Sequence, residues 1–306
     1  MLMSDKKMIE STKTSKPMKV KYTTGETILH IVIVILCTLL SLAILLPMLN
    51  ILFGAFSDPY EVMKHSGLFL YPVKPTLYNF SLVFRNPSIL TGYMNTIFVV
   101  VVGTTLNVLL SLVGAYVLSR KDARLVKFFT LMIVFTLYFH GGTIPTYLVV
   151  EALGLINSRW SLILPGAIST FNMIVMRTAM TQVPDSLPES AMIDGATHTQ
   201  VLFRIMTPLC KATVAVIVLY YAVAHWNSWF PAFLYLRDKN KYPLQLILRQ
   251  ILFQEETNSM AAESLALSSE AVKYATIVVA TVPILLVYPF LQRYFVKGVM
   301  VGAVKG

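Results

Sequence analysis

Long apolar stretches without ionised side chains alternate with short charged segments along this chain. Residues 1–27 are polar and carry Lys6, Lys7, Lys13, Lys16, Lys19 and Lys21, so they read as a cytoplasmic tail ahead of the first apolar run, Ile28 to Phe53. Further runs extend from Thr91 to Ser119, Phe128 to Tyr147, Trp160 to Met176, Ala212 to Leu236 and Tyr274 to Gln292. A hydrocarbon layer about 30 Å thick is crossed by roughly 20 helical residues, and each run meets or approaches that length. The pattern predicts six transmembrane helices. The run ending at Met176 is the shortest and contains Pro165-Gly166, which predicts a bend. Backbone groups in lipid must find partners within the protein. The alternating short strands of a barrel are absent, so the expected fold class is an all-α polytopic membrane protein. The first run exceeds the about 7–15 apolar residues of a signal peptide, and no small-residue cleavage site closes it. It is expected to remain as an anchor.

Composition strengthens this reading. Of 306 residues, 56% are hydrophobic and 13% charged, against about 45–50% and roughly 25% in soluble domains. The formal charge of +10 would suggest nucleic acid in a soluble protein, but the lysines and arginines flank the apolar runs, as membrane insertion requires. Nucleic acid is not an expected partner; membrane lipid is. The tail lysines, Arg120, Lys121, Arg124, Lys127, Arg177, Arg204, Lys211, Arg293, Lys297 and Lys305 form the cytoplasmic set. Long loops weigh less in this rule, so the basic residues of the last loop do not outvote them, and both termini are expected inside. Cys37 and Cys210 lie in or beside apolar runs without metal-ligand spacing, and read as two small core residues.

The most informative segment is the loop before the fifth run, residues 183–209. It begins Val183-Pro184-Asp185-Ser186-Leu187-Pro188-Glu189-Ser190-Ala191-Met192-Ile193-Asp194-Gly195-Ala196 and ends Met206-Thr207-Pro208-Leu209. Ser186 and Glu189 have the spacing of a reciprocal capping box. Pro188 fits a first helical turn, and Gly195 fits a left-handed C-terminal cap. The expectation is a short rigid helix with small residues Ser190 and Ala191 on its surface. Two uses stay open at this point: a knob for another protein, or a capped connector between spans.

The order Glu-Ser-Ala, Asp-Gly-Ala, Ile and Pro-Leu resembles the EAA loop of binding-protein-dependent ABC importer permeases, with Ser190 where that pattern often has Ala. The likeness extends over nearly the whole chain, through Gly141-Gly142-Thr143-Ile144-Pro145-Thr146-Tyr147, Trp226-Asn227 and Tyr294-Phe295-Val296-Lys297-Gly298. Together these resemble the MalG-like carbohydrate permeases of the LplC/YtcP type. The resemblance implies a type I importer permease fold and a heterodimer with a second homologous permease. It further implies two cytoplasmic ATPase subunits holding ATP and Mg, an extracytoplasmic sugar-binding protein, and an oligosaccharide substrate carried across the bacterial inner membrane. It also implies that Glu189, Ser190, Ala191, Asp194, Gly195 and Ala196 couple to the ATPase, and that the loop 238–269 faces the binding protein.

The chain has no Gly-Lys dipeptide and therefore no phosphate loop of its own; neither GxSxG nor HExxH occurs. The five histidines are scattered and read as structural, so no metal site or catalytic group is expected. Sugars are held by aromatic faces with amides and hydroxyls nearby, and polar groups in a span face a partner or a cavity. Asn95, Asn172, Tyr220, Tyr221, Trp226 and Asn227 are the pathway candidates, with Asn107 and Tyr116 of similar character. The alternatives are interhelical hydrogen bonds for the asparagines and an interfacial belt for Trp226, Trp229 and Phe230. Leu244 to Phe253 has near-helical spacing and is expected on the membrane surface, followed by a polar stretch from Gln254 to Ser269. The competing function, an ion-gradient-driven secondary transporter, needs an ionisable residue at membrane depth, and the middles of the spans hold essentially none.

Overall fold

The computed structural model describes residues 23–253 and 270–303 apart from Ser66, Lys121 and Ala123. Most of the N-terminal tail and the polar stretch from Gln254 to Ser269 therefore lie outside the described residues. Every regular element among the described residues is helical: α1 (Thr24–Ala55), α2 (Pro59–Lys64), α3 (Tyr78–Arg85), α4 (Pro87–Ser119), α5 (Val126–Tyr138), α6 (Thr143–Ala152), α7 (Thr170–Thr181), α8 (Ser186–Ile193), α9 (His198–Leu209), α10 (Lys211–Trp226), α11 (Phe230–Tyr235), α12 (Leu244–Phe253) and α13 (Glu270–Ala303), with short 3₁₀ turns between some of them.

The chain divides into two units, residues 1–50 and 51–306. The first contains most of α1, whose apolar side chains are exposed along its length. Its hydroxyls are satisfied within the helix, Thr38 donating to the Val34 carbonyl at 2.8 Å and Ser41 to that of Cys37 at 2.7 Å. A helix surrounded by lipid requires this economy. Cys37 is exposed on α1 and Cys210 is buried, so only Cys210 is the core residue expected of both.

In the second unit α4 is the central element. Pro87 starts it, and the side chain of Asn86 caps it by accepting from the Ser88 amide at 3.0 Å. Its buried stripe includes Gly92, Asn95, Thr96, Gly103, Thr104, Asn107, Ser111 and Ala115, while Ile97, Val101, Leu109, Leu110, Val113 and Val117 are exposed. Set among buried Ile89, Val99, Val108, Leu112 and Leu118, these polar and small residues let neighbouring backbones approach closely. Helices α7, α10 and α12 pack against α4. One apolar cluster joins Leu112, Ala115, Met176, Val201, Met206 and Ile217. Another joins Ile89, Leu244, Ile247, Val272, Ala275 and Val279 near the opposite end of α4.

The apolar runs became helices, several of them broken. Among the described residues α1 and α4 are long and apolar enough to cross a bilayer unaided, and three bent pairs reach that length together. The bend that the sequence predicts is present: the segment Arg159–Gly166, which ends in Pro165-Gly166, meets α7 at 50°. The run Phe128 to Tyr147 is not one helix: α5 and α6 meet at 114°, because Gly142 (φ +84°) takes a backbone conformation closed to most residues. The run Ala212 to Leu236 also divides, with α10 ending at Trp226 before α11 begins. Helix α12 forms as expected but does not simply lie on a membrane surface. Leu244, Leu246 and Ile247 are buried against the bundle, and the Leu244 amide donates to Thr96 Oγ1 at 2.9 Å.

Candidate coupling helix and polar interior

Helix α8 starts one residue earlier than the capping-box spacing implies. Asp185 holds the N-cap position without a side-chain cap bond, and Ser186 is already helical, so the Ser186–Glu189 box does not form. The reciprocal box belongs instead to Thr197 and Gln200 at the start of α9. There the Gln200 amide donates to Thr197 Oγ1 at 3.3 Å and the Thr197 amide to Gln200 Oε1 at 2.8 Å. The other end of α8 behaves as its sequence predicts. Gly195 sits at φ +87°. The Gly195 amide donates to the Met192 carbonyl at 3.0 Å and the Ala196 amide to that of Ala191 at 2.9 Å, the paired bonds of a Schellman termination.

Pro188 is buried, and Ala191, Met192 and Ala196 pack against the cluster holding Val201, Leu202 and Met206. Glu189, Ser190, Asp194 and Gly195 are exposed. Leu187 is 45% exposed and Ile193 86%. One face of α8 is thus fastened to the bundle, and the other presents two apolar side chains beside a carboxylate. The segment continues through a π-helical stretch, Val201–Met206. Pro208 has no N–H to give to a carbonyl one turn back, which favours a widened turn. Thr207 Oγ1 donates instead to the Leu202 carbonyl at 2.8 Å. A 90° turn then leads into α10.

The C-terminal end of α4 meets this segment. A cavity of about 320 Å³ lies between Tyr116, Arg120, Asp122, Asp185, Pro188 and Glu189. Arg120 donates to both carboxylate oxygens of Asp122, at 2.9 and 3.0 Å. These bonds hold the Asp122 carboxyl below its ordinary pKa and raise that of Arg120, to which the charge of Glu189 also contributes. Tyr116 Oη lies 3.1 Å from His198 Nδ1, and Arg177 Nε donates to the Leu118 carbonyl at 2.9 Å. The end of α4 is therefore tied to both α7 and α9.

The six pathway candidates fall into two groups. Near the N-terminal end of α4, the Asn95 amide donates to the carbonyls of Asn240 and Tyr242 at 2.8 and 3.0 Å. Trp226 packs near Tyr93 with ring centroids 6.4 Å apart, its indole N–H buried without a partner. Asn227 is exposed at the end of α10. Towards the other end, Asn172 is buried and Tyr220 faces Phe171 at 6.4 Å. Tyr221 Oη lies 2.7 Å from Ser111 Oγ and accepts from the Ser169 amide at 2.8 Å. Between the groups, Asn107 Nδ2 lies 3.1 Å from His225 Nε2, with the side-chain oxygens of Thr104 and Asn107 buried and unpartnered. The sequence reading took His225 for a structural residue and did not single out Gly103 or Ser111. The small-and-polar stripe of α4, recurring every three or four residues, was the signal that could have found those two. Among the described residues no group of His, Cys, Asp and Glu is arranged to hold a metal.

No protein-family model matches the chain. Protein LplC of Bacillus subtilis is 40% identical over 86% of this chain and 90% of its own length. The polygalacturonan/rhamnogalacturonan transport system permease protein YtcP of the same organism is 40% identical over 87% of this chain and 94% of its own. Among solved structures, a chain of a bacterial ABC transporter involved in import of the acidic polysaccharide alginate superposes with a TM-score of 0.84 at 32% identity. That match covers 90% of this chain and 99% of the other. With the all-helical bundle and the capped surface helix already in place, these likenesses over most of each chain settle the family: this chain belongs to the carbohydrate ABC importer permeases of the LplC/YtcP type.

Proposed function

We propose that the chain imports oligosaccharides across the bacterial cytoplasmic membrane as one permease of a heterodimer, with both termini on the cytoplasmic side. Permeases of this family leave ATP hydrolysis to separate subunits. Two such subunits hold ATP and Mg, α8 docks in a cleft of the ATPase, and an external sugar-binding protein delivers substrate to the loop 238–269. The observation that carries this reading is α8 itself: a short helix ended by the paired Gly195 and Ala196 bonds, seated on the core by Pro188, Ala191, Met192 and Ala196. Its exposed face, with Leu187, Glu189, Ser190 and Ile193, has the chemistry of a protein contact. A rigid, anchored element passes a displacement on to the spans, where a flexible loop would absorb it. Closure of the ATPases moves α8 with the α4 and α9 ends tied around it and opens the spans outward; hydrolysis resets them inward. Asn172, Tyr220, Tyr221, Trp226, Asn227 and Asn95 are the candidates for lining or supporting the sugar path.

Reconstitution with the partner permease, ATPases and binding protein tests the proposal. Replacing Asp194 and Gly195 together is expected to abolish sugar uptake and sugar-stimulated ATP hydrolysis while the complex still assembles. Uptake that persists without ATP or partners would show an ion-driven transporter instead.

A further inference from the structure

Between its capped start and its turn into α10, α9 is wound too wide. The Thr207 amide donates to the Leu202 carbonyl, five residues back rather than four. The same carbonyl accepts from Thr207 Oγ1 at 2.8 Å. Regular α bonds stand on both sides. The Val201 amide reaches the Thr197 carbonyl at 2.9 Å, and the Cys210 amide reaches that of Met206 at 3.0 Å. The stretch Val201–Met206 is thus a widened segment inside an otherwise α-helical element.

Two local costs oppose each other here. Wide turns are rare because an α-helix bonds more compactly. Closing this one would bring the Pro208 ring against the Arg204 carbonyl, four residues back, with no N–H to offer it. The Thr207 hydroxyl adds a bond that belongs to the wide form. Neither winding escapes a penalty, so the segment has two accessible forms. Taking up the surplus residue changes both the rotation and the rise between Thr197 and Cys210. The surroundings hold one end and let the other respond. Thr197 and Gln200 lock the start with their reciprocal box. Val201, Leu202 and Met206 are buried, while Phe203 and Arg204 are exposed. Beyond Leu209 the chain turns by 90° into α10, so any change of winding in α9 displaces the start of α10 relative to α8.

We propose that the widened segment Val201–Met206 is a register switch, which closes towards α form when the ATPases draw together on α8 and so shifts the start of α10. The switch rests on the importer reading above and adds the place in the chain where movement of α8 is converted.

The test uses the complete reconstituted importer with spin labels on Thr199→Cys and Lys211→Cys, both exposed positions, in a chain carrying Cys37→Ala and Cys210→Ala. Pulsed electron resonance reads the distance between the labels without nucleotide and with a non-hydrolysable ATP analogue. A shift between the two states is expected. Deleting exposed Phe203, which closes the wide turn, is expected to abolish that shift. Thr207→Val and Pro208→Ala keep the chain length and favour the α form, so each should move the nucleotide-free distance towards the ATP-bound one. These two variants carry the test if the deletion prevents assembly. One distance in both states would show α9 and α10 moving as a single body and overturn the switch. So would an undiminished shift in the deletion variant, which would place the movement at the Cys210 turn, and so would nucleotide-free distances left unchanged by both substitutions. If the unsubstituted complex neither binds nucleotide nor hydrolyses ATP, the importer reading itself fails, a result separable from the others.

Discussion

His225 fills the space that a side chain at position 103 would need: a Cβ built on Gly103 would stand 2.6 Å from the imidazole Nε2. Helices α4 and α10 approach backbone to ring at this level, and Asn107, one turn further along α4, reaches the same nitrogen. Gly103→Ala must displace α10 or unseat the ring. The expected cost is about 1–3 kcal/mol, read as a lower melting temperature in detergent. His225→Ala in the same chain should restore part of it. An unchanged melting temperature in the single variant would contradict the close approach.

Gly195 separates a steric from a conformational requirement. Nothing lies within 4 Å of a Cβ added there, yet its φ is +87°. An ordinary residue in a left-handed conformation costs roughly 1–2 kcal/mol, and Asn bears it best. Gly195→Val is therefore expected to depress sugar-stimulated ATP hydrolysis of the assembled importer strongly, and Gly195→Asn to retain most of it. If both variants hydrolyse alike, the end of α8 does not depend on this dihedral.

Tyr221 joins three elements through one hydroxyl, shared with Ser111 Oγ and the Ser169 amide. Tyr221→Phe leaves the partly buried Ser169 amide without its acceptor, at an expected cost of about 1–3 kcal/mol. Ser111→Ala should cost less, because Tyr221 continues to accept from Ser169. Chemical denaturation of the two single variants and the double variant tests this. Strict additivity would deny the shared bond.

Asn157, in the loop after α6, is tied to the loop after α11. At φ +58°, its side-chain oxygen accepts from the Arg237 and Asp238 amides at 3.2 and 3.0 Å, and its carbonyl from Lys241 Nζ at 2.7 Å. Asn157→Gly keeps the backbone and loses the side-chain bonds; Asn157→Ala loses both. Limited proteolysis of the 237–243 region is expected to accelerate in the order native, Gly, Ala. Equal rates for Gly and Ala would mean that the positive φ carries no cost there.

Much of this architecture was legible in the spacing of charged residues, because a lipid-exposed helix must be long, apolar and free of ions. The bend just after Pro165-Gly166 was visible for a local reason too, since that pair disfavours a continuous helix. The break before Gly142 was not foreseen, although Gly141-Gly142 stood in plain view, because apolar character alone does not distinguish one helix from two short ones. Both Ser186–Glu189 and Thr197–Gln200 satisfy the capping-box spacing. The first does not form, because Ser186 is already helical with Asp185 at the N-cap position. The pathway candidates were chosen one residue at a time, whereas the bonds of Asn95 and Tyr221 run to backbone and side chains 52 to 147 positions away. Such pairings are set by packing and leave no trace in local pattern.

The small and polar positions in the buried stripe of α4 separate two decisions usually made by the same side chains. Insertion into the bilayer is governed by summed apolarity, to which Val101, Leu109 and Val117 contribute; rotation about the helix axis is governed by Gly103, Asn107 and Ser111. A variant that replaced the stripe with leucines would enter the membrane at least as readily, yet it would lose the information that specifies which way the helix turns. Such a chain would fail after biogenesis, at the stage where already inserted helices choose their azimuth.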